Sequence, residues 1–291
     1  MKRTGFSRVQ GLGFCLIATF LPFYLFTSLP FLYAAELKVT FFDVGQGDSI
    51  LIEFPNGKTT LIDAGMNFAQ AGNLAMVKKQ PIVPYLKTAD RKKIDIVLIT
   101  HPHPDHIGGL PAVLKEIKAG IIYGYSPEMA VDYTLQTDII FNPPPVGKTV
   151  KYGEAKLEFL SPPSPFIGTE ADINNNSVVT KLTYKKISML FAGDVEWAGE
   201  LLLVDIGEKI RSTILKVPHH GSYTSSTSPF LDRVMPEAAV ITCGKGNAFG
   251  HPHQDTIKQY SKRKIKLYRT DDQGTITVTS DGTSYTITTE F

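Results

Sequence analysis

Apolar residues recur along the chain at two spacings. Short runs that alternate or are wholly apolar, bounded by Gly, Pro, Asn or Asp, predict strands. Leu37 to Phe42, Ile50 to Phe54 and Lys58 to Ile62 are of this kind, and Pro55-Asn56-Gly57 between the last two is a hairpin turn. Helical spacing over Ala69 to Leu86 predicts a helix that Pro81 and Pro84 break or kink. Ile94 to Ile99 is a mostly β-branched run, hence a strand buried on both faces. A helix over Gly109 to Ile117, a strand over Gly120 to Tyr125 and an irregular stretch from Ser126 to Gly147 follow, with Pro143-Pro144-Pro145 marking a loop. The second half repeats the style. Strands are expected near Leu157 and over Val178 to Tyr184, Ile187 to Phe191, Thr213 to Val217, Ala238 to Thr242, Lys266 to Arg269, Thr275 to Thr279 and Ser284 to Thr289; helices over Glu196 to Ile206, Pro229 to Val234 and Thr256 to Arg263. Two comparable halves, each mixing hairpins with covering helices, predict an α/β (α+β) chain folded as a four-layer αββα sandwich.

The first 34 residues stand apart. Lys2, Arg3 and Arg8 precede an uncharged, mainly apolar run from Leu12 to Tyr33, and Ala34-Ala35 follows. That layout predicts a secretory signal cleaved after Ala34 or an uncleaved N-terminal membrane anchor, with residues 35–291 forming a single domain on the extracytoplasmic side. Setting aside those three basic residues lowers the formal net charge from +2 to −1. A nucleic-acid substrate must then be drawn by a local patch rather than by total charge. The tight basic runs Arg91-Lys92-Lys93 and Lys262-Arg263-Lys264 read as solvated turn and helix-end residues. Of the two cysteines, Cys15 lies in the leader, which leaves Cys243 alone in the mature chain with no intramolecular partner.

Chemistry concentrates at strand ends. His101, His103, Asp105 and His106 follow a buried strand directly, with Pro102 and Pro104 stiffening the loop, and these are ligand types for Zn²⁺, Mn²⁺ or iron. His101 and His103 can converge on one ion, Asp105 and His106 on a second. Asp48 and Asp63 sit in Gly-containing turns; Asp63 is expected to brace a ligand histidine from behind, and Asp48 to do the same or simply to turn the chain. Asp194, after Gly193, is the expected bridging carboxylate, the bland alternative being a helix cap. In Pro218-His219-His220-Gly221-Ser222 one histidine would ligate while the other meets substrate or moves a proton; His219 is assigned as ligand and His220 as catalytic. His251 is a substrate-contacting residue, and His253 caps the helix that follows.

Taken together, Phe42-Asp43-Val44-Gly45-Gln46-Gly47-Asp48-Ser49, Asp63-Ala64-Gly65, the His101–His106 cluster, Asn175-Asn176-Ser177, Ala192-Gly193-Asp194, Pro218-His219-His220-Gly221-Ser222 and Gly250-His251-Pro252 resemble the metallo-β-lactamase superfamily, and within it the C-terminal extracytoplasmic domain of the ComEC/Rec2 DNA-uptake proteins. The resemblance runs from about Leu37 to the C-terminus. It implies the αββα fold, two divalent ions (Zn²⁺ or Mn²⁺) that activate a water, and phosphodiester cleavage of nucleic acid. It also implies that Asn175, Asn176, Ser177 and Ser222 support the site or the substrate. No histidine lies between His106 and His219, so a harder ion such as Mn²⁺ is expected to be accepted. A single apolar segment of spanning length predicts that this chain lacks the multi-span channel of those proteins. Two other readings remain: hydrolysis of a lactone, β-lactam or phospholipid headgroup on the same scaffold, and a non-catalytic, metal-stabilised DNA-binding module.

Overall fold

The computed structural model describes residues 1, 36–66, 81–124, 139–162, 166 and 171–291. The leader, most of the helix expected over 69–86 and most of the loop expected over 126–147 lie outside them.

Alternation in the strands decides the layers. In β2 (Ile50–Glu53), Ile50 and Ile52 point into one apolar cluster and Leu51 into another. In β4 (Lys93–Leu98), Ile96 and Leu98 join the first cluster, while Val97 joins the second. A strand with both faces apolar must be covered on both sides. β1 (Leu37–Phe41), β3 (Thr59–Ile62) and β5 (Lys118–Tyr123) complete one half of the molecule, paired in the order β1-β2-β3-β4-β5. The turn at Pro55-Asn56-Gly57 does join β2 and β3 as an antiparallel hairpin.

The other half holds β6 (Thr149–Tyr152), β7 (Ala155–Ser161), β8 (Val179–Tyr184), β9 (Ile187–Phe191), β10 (Ile214–Lys216), β11 (Ala238–Ile241) and β12 (Lys266–Arg269), hydrogen-bonded in that order. Pairing is antiparallel from β6 to β9 and parallel from β9 to β12. The halves are not self-contained. β13 (Ile276–Ser280) and β14 (Tyr285–Thr289) return to the first sheet, where β13 pairs antiparallel with β1. Each sheet therefore has seven strands.

The inner cluster lies between the sheets, where Phe41 meets Phe191 at a centroid distance of 6.2 Å. A second cluster packs Leu190, Leu215 and Val217 under Leu203, Phe230, Val234 and Tyr260 of the helices Trp197–Asp205, Ser228–Val234 and Gln254–Lys262. A third packs Leu51, Leu61 and Val97 under Ile82, Leu86, Leu110 and Val113 of the helices Ile82–Thr88 and Leu110–Glu116. Helix, sheet, sheet, helix: the αββα sandwich is observed. Among the described residues no helix is long and apolar enough to cross a membrane.

Candidate metal centre

β4 spends its apolar run by Leu98 and delivers Thr100 and His101, both buried, to the rim of the first sheet. His103 precedes the one-turn helix Pro104–Ile107, whose first residue is a proline that needs no amide partner there. This turn fixes the next two functional side chains, Asp105 and His106, one residue apart on a short rigid element.

Backbone hydrogen bonds stitch three loops beneath that turn. Asp48 N donates to Asp105 O, Ala64 N to His106 O, and Gly65 N to Asp48 O. Gly47 holds φ at +128°, and a Cβ there would run into the Asp105 carbonyl. Gly47→Ala is therefore expected to displace the Asp105 backbone and weaken divalent-metal affinity by about 10- to 100-fold, the range for supporting partners of metal ligands. A competition titration against a metal-binding dye reads this directly.

Asp63 lies in the left-handed region (φ +57°) and is wholly buried. Its carboxylate accepts from Thr100 N at 2.8 Å, Thr100 Oγ1 at 2.7 Å and His106 Nδ1 at 2.7 Å. The Nδ1 proton of His106 thus faces Asp63, leaving Nε2 to face the centre. Burial pushes the Asp63 carboxyl above its ordinary range, against the pull of His106.

On the second sheet, β9 ends at Phe191 and the Ala192-Gly193-Asp194 turn projects Asp194, whose amide donates to Ser177 Oγ at 3.0 Å. Asn175 Oδ1 accepts from Glu196 N and Gly199 N, holding the start of the helix Trp197–Asp205. Asn176 exchanges hydrogen bonds with the backbone of Phe166. Both asparagines therefore act on the backbone around the site, whereas Ser177 Oγ also lies 3.4 Å from His101 Nδ1.

His219 and His220 have φ of +48° and +52°. Two successive left-handed residues swing their rings apart, to centroids 6.2 Å and planes 66° from one another. This decides a point the residues alone left open. His220 points inward: its Nδ1 donates to Thr242 O at 2.8 Å, and its Nε2 lies 3.2 Å from Asp105 Oδ2, 3.2 Å from Asp194 Oδ2 and 3.3 Å from His106 Nε2. His219, the histidine assigned as ligand, is instead turned toward Thr224 Oγ1 (3.3 Å) and Glu196 Oε1 (3.5 Å) on the wall of the cleft. Backbone conformation, not order in the chain, aims the two rings.

Two donor groups result. His101 Nε2 sits 3.0 Å from His103 Nδ1 and 3.8 Å from Asp194 Oδ2. Asp105, His106 and His220 form the other, their donor atoms within 4.8 Å of one another. Asp194 Oδ2 borders both, being 3.3 Å from His106 Nε2. Its second oxygen is buried without a hydrogen bond. Electrostatics agree that the cage wants positive charge. Burial opposes it, yet Asp194, Asp63 and Asp105 raise His106 well above the usual imidazole range. His220 is likewise lifted, against burial, to about 10 by Asp194 and Asp105. His101, farther from the carboxylates, is pushed well down by burial and by His106.

A cleft of about 320 Å³ opens above these groups, walled by Gln46, Met66, His219, Phe249 and His251. His251 lies against His220 at 6.2 Å; burial and its neighbouring histidines lower it to about 4, so it is neutral at pH 7. Ser222 does not reach the donors; its hydroxyl pairs with Thr224 and its carbonyl accepts from Thr256. His253 caps the helix Gln254–Lys262 by accepting from Asp255 N, as expected. Lys216 is a residue of the centre's surroundings that the sequence reading passed over. Its signal was a lysine inside the otherwise apolar Ile214-Leu215-Lys216-Val217, and it lies against Asp48 and Asp194.

Residues 42–245 match the metallo-beta-lactamase superfamily, and the chain belongs to it. It is 29% identical over 279 residues to ComE operon protein 3 of Bacillus subtilis, covering 91% of this chain and 35% of that protein. It is 33% identical over 243 residues to competence protein ComA of Neisseria gonorrhoeae, covering 83% and 32%. The chain thus spans about a third of the length of these relatives. A solved structure of the same fold, a CmlA β-hydroxylase E377D mutant, superposes with a TM-score of 0.53 at 15% identity, covering 83% of this chain and 53% of that one.

Proposed function

We propose that the chain is an exported, metal-dependent phosphodiesterase that cleaves nucleic acid. The observation that carries the reading is Asp194 Oδ2, one carboxylate oxygen bordering both donor groups. Imidazole and carboxylate donors without thiolate suit Zn²⁺, Mn²⁺ or iron, and the donor set here has that composition. His101, His103 and Asp194 would hold one ion, and Asp105, His106, His220 and Asp194 the other. When bound, such a pair of ions lowers the pKa of a water and offsets charge on the phosphoryl oxygens.

The remaining steps belong to side chains of this chain. Asp105, whose carboxyl is held well below its ordinary range by His106 and His220 despite burial, is ionised and can orient or take a proton from the attacking water. His219 and His251 lie side by side on the cleft wall, ring centroids 5.5 Å apart, and donate hydrogen bonds to the scissile phosphate. The neutral state of His251 makes it a donor rather than a counter-charge. Asp63 holds the tautomer of His106, and Thr242 O that of His220. Nucleic acid is favoured as substrate because relatives covering most of the chain include a competence protein and a recombination protein by name. Export is favoured by the basic-then-apolar N-terminal pattern.

The test is hydrolysis by metal-stripped protein titrated with Mn²⁺ or Zn²⁺, using single- and double-stranded DNA and bis-p-nitrophenyl phosphate. Cleavage that appears with metal and disappears with EDTA is expected. Folded, metal-loaded protein that cleaves none of the three would overturn the phosphodiesterase reading.

A further inference from the structure

Among the described residues Lys216 is the only buried lysine. It closes β10, where Ile214 faces the core between the sheets and Leu215 faces the helices. Alternation then turns Lys216 to the same side as Ile214, at the rim of the sandwich where an apolar residue would otherwise pack. A buried ammonium is costly unless several acceptors surround it. Here Nζ lies 2.5 Å from Asp48 Oδ2, donates to Gly193 O at 3.3 Å and stands 3.7 Å from Asp194 Oδ1. Two carboxylates and a backbone carbonyl make an all-oxygen pocket, the surroundings that hard cations take.

Asp48 has no part in the two donor groups assigned above. Even so, Asp48, Asp194 and His220 bring donor atoms within 4.8 Å of one another, as do Asp48, Asp63 and His106, so Asp48 enters further potential ligand sets that overlap the metal centre. Asp48 also accepts a hydrogen bond from Thr242 Oγ1, the residue just after β11 whose carbonyl is the partner of His220. Left without Lys216, the buried Asp48 carboxylate would keep only imidazoles as charge partners, His220 Nδ1 at 3.5 Å and His106 Nδ1 at 4.0 Å, and both of those histidines also serve Asp194.

The structure assigns to Lys216 the place of a third cation. Its ammonium holds Asp48 and Asp194 together, positions Asp194 whether or not the centre is loaded, and keeps a further divalent ion from the Asp48 side. Lys216 is a positioning residue that acts through Asp194. The inference rests on the two-ion reading only for the count of ions; the part concerning Asp48 and Asp194 concerns the chain alone.

The experiment compares wild type, Lys216→Met, Asp48→Asn and the double variant, each full-length. Denaturant unfolding is measured without metal, and Mn²⁺ uptake is then counted by equilibrium dialysis. Methionine keeps most of the volume and removes the charge. In metal-free Lys216→Met the unfolding equilibrium constant is expected to rise roughly 100-fold or more, because one partner of a buried ion pair is left uncompensated. Adding Asp48→Asn should recover most of that loss, a non-additivity that packing alone does not produce. Lys216→Met should also take up one more equivalent of Mn²⁺ than wild type. Additive costs, a Lys216→Met protein as stable as wild type, or no additional equivalent would each overturn the assignment. If Lys216→Met alone fails to fold, the double variant decides: folding supports the assignment and failure overturns it. Wild type that binds no Mn²⁺ defeats the proposed function, while the unfolding comparison still reports on Lys216.

Discussion

Asp194→Asn protein is expected to lose metal-dependent hydrolysis of bis-p-nitrophenyl phosphate by more than about 100-fold, beyond the effect of removing a supporting partner of a ligand. The substitution is close to isosteric, and the Asp194 amide keeps its bond to Ser177 Oγ, so the turn after β9 should persist. What disappears is the charge of the one oxygen that borders both donor groups. Loss should therefore reach both ions at once, whereas His103→Ala, on the partly exposed edge of the cleft, should empty chiefly the His101 side. Metal content by elemental analysis beside the rate constants separates the two patterns. An Asp194→Asn enzyme with unchanged metal content and activity within a few-fold of wild type would remove Asp194 from the centre.

Asp63→Ala should be the costliest single change to stability near the site. Three donors converge on this carboxylate, and Thr100, His106 and Asp63 are all fully buried. Truncation leaves those donors without acceptors and takes away the carboxylate that pairs with Nδ1 of a buried imidazole, a class of change worth about 3–5 kcal/mol. Chemical denaturation of the metal-free protein measures it, and a cost below about 1 kcal/mol, the net worth of an ordinary hydrogen bond, would show that the network is not structural. Asp63→Asn should not rescue the loss, because an amide offers one acceptor oxygen where two oxygens now receive three bonds.

Much of this architecture is written locally. Ile50, Leu51 and Ile52 announce a strand covered on both faces, and Pro55-Asn56-Gly57 can only reverse the chain. The candidate metal-ligating cluster was equally visible, since residues 101–106 bring His101, His103, Asp105 and His106 together through a proline-stiffened loop and one helical turn. Other features depend on partners far along the chain. β6 (Thr149–Tyr152) reads Thr-Val-Lys-Tyr, too polar and short to stand out, and is a strand because β7 pairs with it at the sheet's edge. The return of β13 to β1 has no sequence signal, because register between residues 37 and 280 is a property of the folded sheet. The directions in which His219 and His220 point turn on two positive φ angles that residue preference does not forecast. Lys216 was missed because a lysine at a strand end reads as solvated until the opposing Asp48 is seen.

The pairing of β1 with β13 bears on how the molecule comes to exist. A ribosome releases β1 long before residues 276–280, so during synthesis one edge of that strand presents unpaired amides and carbonyls beside the apolar face of Leu37, Val39 and Phe41. β13 follows every strand of the second sheet, so the first sheet closes only after those strands have been made, with large sequence separations to bridge. Until then the nascent β1 edge is a template for strands of other chains, and holding it apart falls to whatever accompanies the growing polypeptide. The last hairpin is thus less an appendage of the sandwich than the latch that ends its exposure to aggregation.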